Sequence, residues 1–286
     1  MDVESLTGAL PAIKEYAGKT LVVKYGGNAM LNGDLKAAVV QDLVFMASVG
    51  IRTVLVHGGG PEIEAMLKAT NKESRFVQGL RYTDEGTMEI VQMVLAGKVN
   101  KDLAALIQNA GGKALGLCGI DGGLLKAKRL LKGGEDLGFV GEVTEVNTGV
   151  IEDVLNAGYI PVISTVALGV EDVAGHAMNI NADTAAAKIA AALRAEKMIL
   201  MTDVPGILRD VNDPASLIRE LEESRLEDLI KEGIVTKGMI PKVDCLTLAL
   251  DGGVKKACII DGRMPHSLLL DLFTDESIGT TVLKKW

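Results

Sequence analysis

Short apolar runs of strand length alternate along the chain with stretches whose apolar residues recur every three or four positions. Residues 20–23, 53–56, 159–165, 254–260 and 279–284 read as strands. Residues 196–208 read as a strand entering a turn at Asp203, Pro205 and Gly206. Between them, 34–50, a segment from Pro61, 84–109, 226–232 and a segment opening at 238–242 read as helices. Residues 174–193 open with polar side chains and become an Ala-rich helix, with Asn179, Asn181 and Asp183 clustered at its entrance. N-capping accounts for one of these three, not for all. Residues 113–147 break the alternation and read as a hairpin-rich insert of short strands with Gly and Asp turns. Residues 75–83 read as turn-like, with Arg81 and Asp84 exposed. A helix over 4–17 precedes the first strand and lines up Leu6, Leu10, Ile13 and Tyr16. Such a stripe needs a partner, either its own subunit or another. The alternation as a whole predicts an α/β fold with a mainly parallel sheet, helices on both faces, and ligands at the carboxyl ends of the strands.

Composition sharpens this picture in a few places. At 286 residues the chain is long enough for one large α/β core or two smaller ones. Aromatics make up only 3% of residues, so the core must be aliphatic, and base-stacking surfaces are disfavoured. A net charge of −8 argues against a nonspecific nucleic-acid binder, but leaves room for a local basic site that takes a small anion. Cys118, Cys245 and Cys258 are too dispersed for a metal or redox motif and read as free thiols in a reducing compartment. His57, His176 and His266 form no zinc spacing. No apolar run reaches membrane-span length, and the acidic N-terminus shows no targeting pattern. The chain reads as cytoplasmic, or as plastid stromal if an import peptide has been removed.

The candidate chemistry sits where strands run into glycines. The first strand breaks at Lys24, Gly26 and Gly27; the second ends in His57, Gly58, Gly59 and Gly60. Glycines let backbone N–H groups approach an anion, and a lysine adds a point charge. The P-loop pattern is absent. One glycine-ended strand is commonplace; two in one domain suggest two edges of one anion site. Lys242 stands near a helix N-terminus, where the dipole disfavours a cation unless an anionic ligand lies between them. Arg81 is a candidate carboxylate clamp.

The motifs KYGGNAM, VHGGGPEI, QGLRYTD, MNINADTAA, LMTDVPGIL, GMIPKV and IIDGRMPHSLLL occur in this order. Together they resemble the N-acetyl-L-glutamate kinases of the amino acid kinase family, over essentially the whole chain. The resemblance implies a three-layer α/β/α sandwich around a mainly parallel sheet, the amino acid kinase fold. Residues 1–195 would form the N-terminal helix and amino-acid lobe, and 196–286 the nucleotide lobe. It implies ATP-dependent phosphorylation of the side-chain carboxylate of N-acetyl-L-glutamate, with Mg²⁺ carried by the nucleotide. Lys24 and Lys242 resemble the lysines that stabilise the transferring phosphoryl group, and Asp183 the carboxylate that orients them. Gly26 and Gly27 would touch the ATP phosphates, with Asp203, Gly206 and Leu208 beside the nucleotide. Gly59, Gly60, Arg81 and Asn179 would hold N-acetylglutamate. The N-terminal helix resembles that of hexameric, arginine-inhibited members, built as trimers of dimers. In their effector site this chain has Cys258, Asp271 and Ser277 where His, Glu and Gly are usual. Lys237 stands where a glycine often precedes GMIPKV. Members from oxygenic phototrophs bind the signalling protein PII, a partner this sequence neither selects nor rejects. The alternatives are a sibling kinase acting on carrier-linked aminoadipate or glutamate, and a non-catalytic binding protein on the same fold.

Overall fold

The computed structural model describes residues 7–236, 238–274 and 278–284; Leu6, Lys237 and Ser277 lie outside the described residues. Fourteen strands are described. Eight form the central sheet: β1 (Thr20–Tyr25), β2 (Arg52–His57), β5 (Ala114–Cys118), β8 (Ile160–Ser164), β11 (Lys197–Thr202), β12 (Glu220–Glu222), β13 (Lys256–Asp261) and β14 (Gly279–Leu283). Their spatial order is β12-β14-β13-β11-β1-β2-β8-β5, and every neighbouring pair is parallel except β13 with β14. β1 sits near the middle and pairs with β2 in register from Thr20 opposite Arg52 to Tyr25 opposite His57. The two glycine-ended strands are therefore neighbours, and their glycines emerge at one carboxyl edge.

Side-chain alternation along β1 divides the core into two layers. Leu21 and Val23 pack with Val39 and Leu43 of helix Gly33–Ser48 and with Leu103 and Ile107 of helix Asn100–Asn109. Val22 faces the other way, onto Ala186 and Ile189 of helix Ala182–Ala192 and Leu246 and Ala249 of helix Ile240–Asp251. The result is the expected three-layer sandwich. Lys24 follows Val22 in alternation and so points towards the second layer; His57 follows Leu55 towards the first.

From the insert, β6 (Leu125–Lys132) and β7 (Glu135–Val146) close into a four-stranded barrel with β9 (Val166–Gly169) and β10 (Ala177–Asn179), which follow β8. A small antiparallel ribbon, β3 (Phe76–Val77) with β4 (Leu80–Arg81), lies where a turn was expected. The stretch expected as one long helix over 84–109 is helical throughout but not uniformly so. It comprises helix Glu85–Gln92, a π-helical segment Met93–Val99 and helix Asn100–Asn109. Asp84 caps its start by accepting a bond from the Thr87 N–H at 2.7 Å. The described part of the first helix, Leu10–Tyr16, docks Tyr16 into the core beside Cys258 and Leu268, while Leu10 stays 48% exposed. Its stripe is thus partly satisfied within the subunit. No described helix is long and apolar enough to cross a membrane.

Candidate active site

Three elements bring Lys24, Asp183 and Lys242 together. Lys24 comes from β1, Asp183 from the first turn of helix Ala182–Ala192, and Lys242 from the first turn of helix Ile240–Asp251. The two helices approach closely because alanines line their contact; a Cβ on Gly252 would collide with Ala191. Asn181 is the N-cap, its Oδ1 accepting from the N–H groups of Asp183 at 3.0 Å and Thr184 at 3.1 Å. That leaves Asp183 free of capping duty. Its Oδ1 lies 2.8 Å from Lys24 Nζ and its Oδ2 3.9 Å from Lys242 Nζ. The Lys24 contact is close, yet the buried Oδ1 takes no hydrogen bond of normal geometry. An ammonium carries three protons, so those not facing Asp183 remain for an arriving anion. Gly26 preserves room for that ammonium, since a Cβ there would stand 3.2 Å from Lys24 Nζ.

Two cavities open beside this cluster. The first, of 530 Å³, is lined by the 58–60 glycines, Arg81, Leu95, Asn179 and Ala182, among others. Arg81 was expected to be exposed; it is 9% exposed. The ribbon turns its guanidinium inward over the Phe76 ring at 4.7 Å, where it donates to Glu64 at 2.8 Å, to Ser74, and at 3.4 Å to the Gly60 carbonyl. A two-residue strand offers too short a period for burial to be read from pattern. The Arg81 and Ser74 bonds hold the exposed Glu64 carboxyl below its ordinary pKa. Asn179 donates to Thr83 Oγ1 at 3.1 Å. The structure thus brings Gly59, Gly60, Arg81 and Asn179 to one cavity.

The second cavity, of 870 Å³, is lined by Asp203, Gly206, Leu208, Met239, Lys242 and Arg263, among others. Its 203–208 wall is tied to β14, because the Ile207 N–H donates to Thr280 Oγ1 at 2.8 Å. Lys242 belongs to this cavity, while Ala182, adjacent to Asp183, lines the first. The Asp183 carboxylate thus stands next in sequence to a residue of the first cavity and 3.9 Å from the Lys242 ammonium of the second. Gly26 and Gly27 lie at the same edge, the Cβ position of Gly26 being 3.8 Å from the Gly58 nitrogen. Among the described residues no group of three or more His, Cys, Asp or Glu is arranged to hold a metal.

Sequence reading missed a second lysine–aspartate pair. Lys197 opens β11 and meets Asp271 of helix Ser267–Phe273 at 2.7 Å, with side chains 4% and 7% exposed. Burial opposes the Lys197 charge, but the Cys258 sulfur and the Asp271 carboxylate beside it together raise its pKa. Burial pushes the Cys258 thiol up, and its Sγ lies 3.8 Å from Asp271 Oδ2. Cys258 and Asp271 are thus neighbours, but Asp271 already has a cation. His57 and Asn100 were also missed. His57 is fully buried, and burial lowers its pKa to about 4. A buried Asn100 within an otherwise apolar helical face was the signal available.

Comparison with known proteins agrees with this geometry. The model of the amino acid kinase family matches residues 19–261. The acetylglutamate kinase of Clostridium beijerinckii is 54% identical, over 98% of this chain and 97% of that protein. That of Synechocystis sp. is 55% identical, over 98% of this chain and 93% of that protein. Among solved structures, the N-acetylglutamate synthase of Neisseria gonorrhoeae with coenzyme A and N-acetyl-glutamate superposes with a TM-score of 0.86 at 27% identity. That match covers all of this chain and 64% of the longer enzyme. Carbamate kinase of Giardia lamblia bound to AMP-PNP shares the fold, with a TM-score of 0.70 at 18% identity over 94% of this chain and 100% of that one. With its central parallel sheet, two cavities and shared aspartate, the chain belongs to the amino acid kinase family.

Proposed function

We infer that the chain is an ATP-dependent kinase. It phosphorylates the side-chain carboxylate of N-acetyl-L-glutamate to give N-acetyl-L-glutamyl 5-phosphate, a step of arginine biosynthesis. The carrying observation is one carboxylate, Asp183, held between two lysines, one of which lines the second cavity, with its neighbour Ala182 lining the first. The first cavity would take the acceptor and the second the nucleotide. All lining residues of the first fall within 58–182 and of the second within 203–263, which supports an amino-acid lobe over 1–195 and a nucleotide lobe over 196–286.

The chemistry asks little of the protein beyond charge and position. An acceptor carboxylate is already ionised at neutral pH, so no base is required. A carboxylate oxygen attacks the γ-phosphorus, the bond to the β,γ-bridging oxygen breaks, and ADP leaves with its electron pair. Lys24 and Lys242 screen the repulsion of two anions and stabilise the charge on the transferring group; Asp183 keeps both ammonium groups aimed. Arg81 and Asn179 would fix the acceptor, and the Gly59 and Gly60 N–H groups would receive its reacting end. Asp203, Gly206 and Leu208 would flank the nucleotide, whose phosphates pass Gly26 and Gly27. Magnesium would enter on the nucleotide, held by its phosphates rather than by a protein cage.

The exposed Leu10 supports a subunit contact through the first helix, as in a hexamer of three dimers. Arginine, as an effector, would reach Asp271 only in competition with Lys197, which supports weak sensitivity. ADP release measured with and without N-acetylglutamate tests the main reading. Release that depends on N-acetylglutamate is expected; release indifferent to it, or none, overturns it.

A further inference from the structure

The glycine loop of the acceptor cavity is held from behind by a buried polar relay. His57 Nε2 lies 3.0 Å from Asn100 Nδ2, and His57 Nδ1 lies 2.9 Å from the Gly58 carbonyl oxygen. The Asn100 amide can be oriented only one way, because its Nδ2 also faces the carbonyls of Leu117 at 3.0 Å and Val162 at 2.8 Å. Lys101 Nζ donates to its Oδ1 at 3.0 Å and to the Gly116 carbonyl at 2.9 Å. Nδ2 shares two protons among these three neighbours and has no lone pair to accept with, so the ring nitrogen facing it carries no proton. The imidazole proton therefore sits on Nδ1 and goes to the Gly58 carbonyl. Burial keeps the ring neutral, so this assignment holds across physiological pH.

In a trans peptide the C=O and the next N–H point in opposite directions. Drawing the Gly58 carbonyl inward onto His57 turns the Gly59 N–H outward, away from the ring. The Gly58 N–H, in the preceding peptide, is held by the Tyr25 carbonyl at 3.1 Å, which anchors the chain just before this plane. The N–H groups of Gly59 and Gly60 take no partner among the described residues. The π-helical segment sets up this arrangement. Its last turn closes with the Asn100 N–H on the Leu95 carbonyl, one residue wider than an α-turn. The same turn presses Leu95 and Val99 against Gly59, where a Cβ would come within 2.7 Å of Leu95 Cδ2 and 3.2 Å of Val99 Cγ2. A side chain there would have to displace the Leu95 methyl.

We propose that His57 and Asn100, brought into register by the π-turn, are positioning residues that hold the Gly59 N–H aimed into the cavity as a donor to the acceptor carboxylate. They touch no substrate; they act through one peptide plane. The proposal rests on the acceptor reading of this cavity. The amide nitrogen of an asparagine can stand where His Nδ1 stands, whereas a glutamine places its amide near Nε2. His57→Gln should therefore lower kcat/KM for N-acetylglutamate about 10²-fold, the loss of one preorganised donor, with the KM for ATP within about twofold. His57→Asn should recover about tenfold of that loss. Nitrogen NMR of the wild-type chain, with His57 assigned by its absence in His57→Asn, should show the Nδ1-protonated tautomer at neutral pH. An Nε2-protonated ring overturns the proposal whether or not the variants fold. So does a folded His57→Gln with wild-type kinetics, a His57→Asn no better than His57→Gln, or an ATP KM that rises alongside that of the acceptor. A wild-type enzyme that ignores N-acetylglutamate would instead refute the acceptor reading itself.

Discussion

Two lysine–aspartate sites in this molecule use the same groups to opposite ends. Lys197 and Asp271 are paired one to one at 2.7 Å and almost wholly shielded. Lys24, Asp183 and Lys242 share one carboxylate between two cations, with side chains 12–23% exposed and at most one short contact. The first site is saturated: each charge consumes the other, and nothing is left for a ligand. The second carries an excess positive charge beside open space, which is how a site for anions must look. A buried pair adds little net stability over apolar residues of the same volume, but half of one is very costly. An open triad stabilises the fold weakly and leaves interaction energy available to an anion. Charge count and access, rather than the presence of an ion pair, separate a structural contact from a working one.

Breaking the closed pair should give the largest effect. Asp271→Ala leaves the Lys197 ammonium buried and alone, and should cost about 3–5 kcal/mol in urea unfolding. The double change Lys197→Met with Asp271→Leu should recover most of that, because both charges go together. Breaking the open triad should leave stability nearly untouched and activity poor. Lys24→Met or Lys242→Met should lower kcat about 10²–10³-fold in steady-state kinetics, the scale of one lost oxyanion donor. Near-normal turnover in both would remove the assignment.

His57 extends the contrast to a group buried without charge. Its folded pKa of about 4 lies below the unfolded value of 6.5, so the native state favours the neutral ring. The stability this adds is complete above the unfolded value and is lost as pH falls through that window towards 4. It amounts at most to something on the order of 3 kcal/mol. Urea midpoints of the wild type should fall more steeply over that interval than those of His57→Asn; parallel profiles would contradict this. The smallest effect belongs to Arg81, the proposed acceptor clamp. Arg81→Ala should raise the KM for N-acetylglutamate about tenfold while leaving that for ATP alone, since a carboxylate contact is lost in ground and transition state alike. A change confined to ATP would move Arg81 to the other cavity.

What the sequence revealed follows the range of the interactions involved. Lys24 could be found because a buried strand ending in glycines is a local pattern, and the strand–helix alternation is local too. Asp183 and Lys242 stood out as polar groups at helix entrances, and the structure brings them to Lys24. The partner of Lys197 lies 74 residues away on another element, and no pattern near Lys197 announces it. Asn100 reaches three strands at once, which depends on a register set by one extra residue in a helix. Arg81 was misjudged because its burial comes from the fold of a two-residue ribbon over Glu64 and Phe76, not from any period along the chain. Asn181 illustrates the intermediate case: an N-cap was expected among three polar residues, and only geometry says which.

The most direct measurement traps the acyl phosphate product with hydroxylamine and compares two variants under conditions where both are folded. Lys24→Met opens the shared triad; Lys197→Met with Asp271→Leu removes the closed pair. Hydroxamate formation from ATP and N-acetylglutamate should fall about 10²–10³-fold in the first and stay within about threefold of wild type in the second. Loss of hydroxamate in the second with retention in the first would place the chemistry at the wrong lysine and contradict the account.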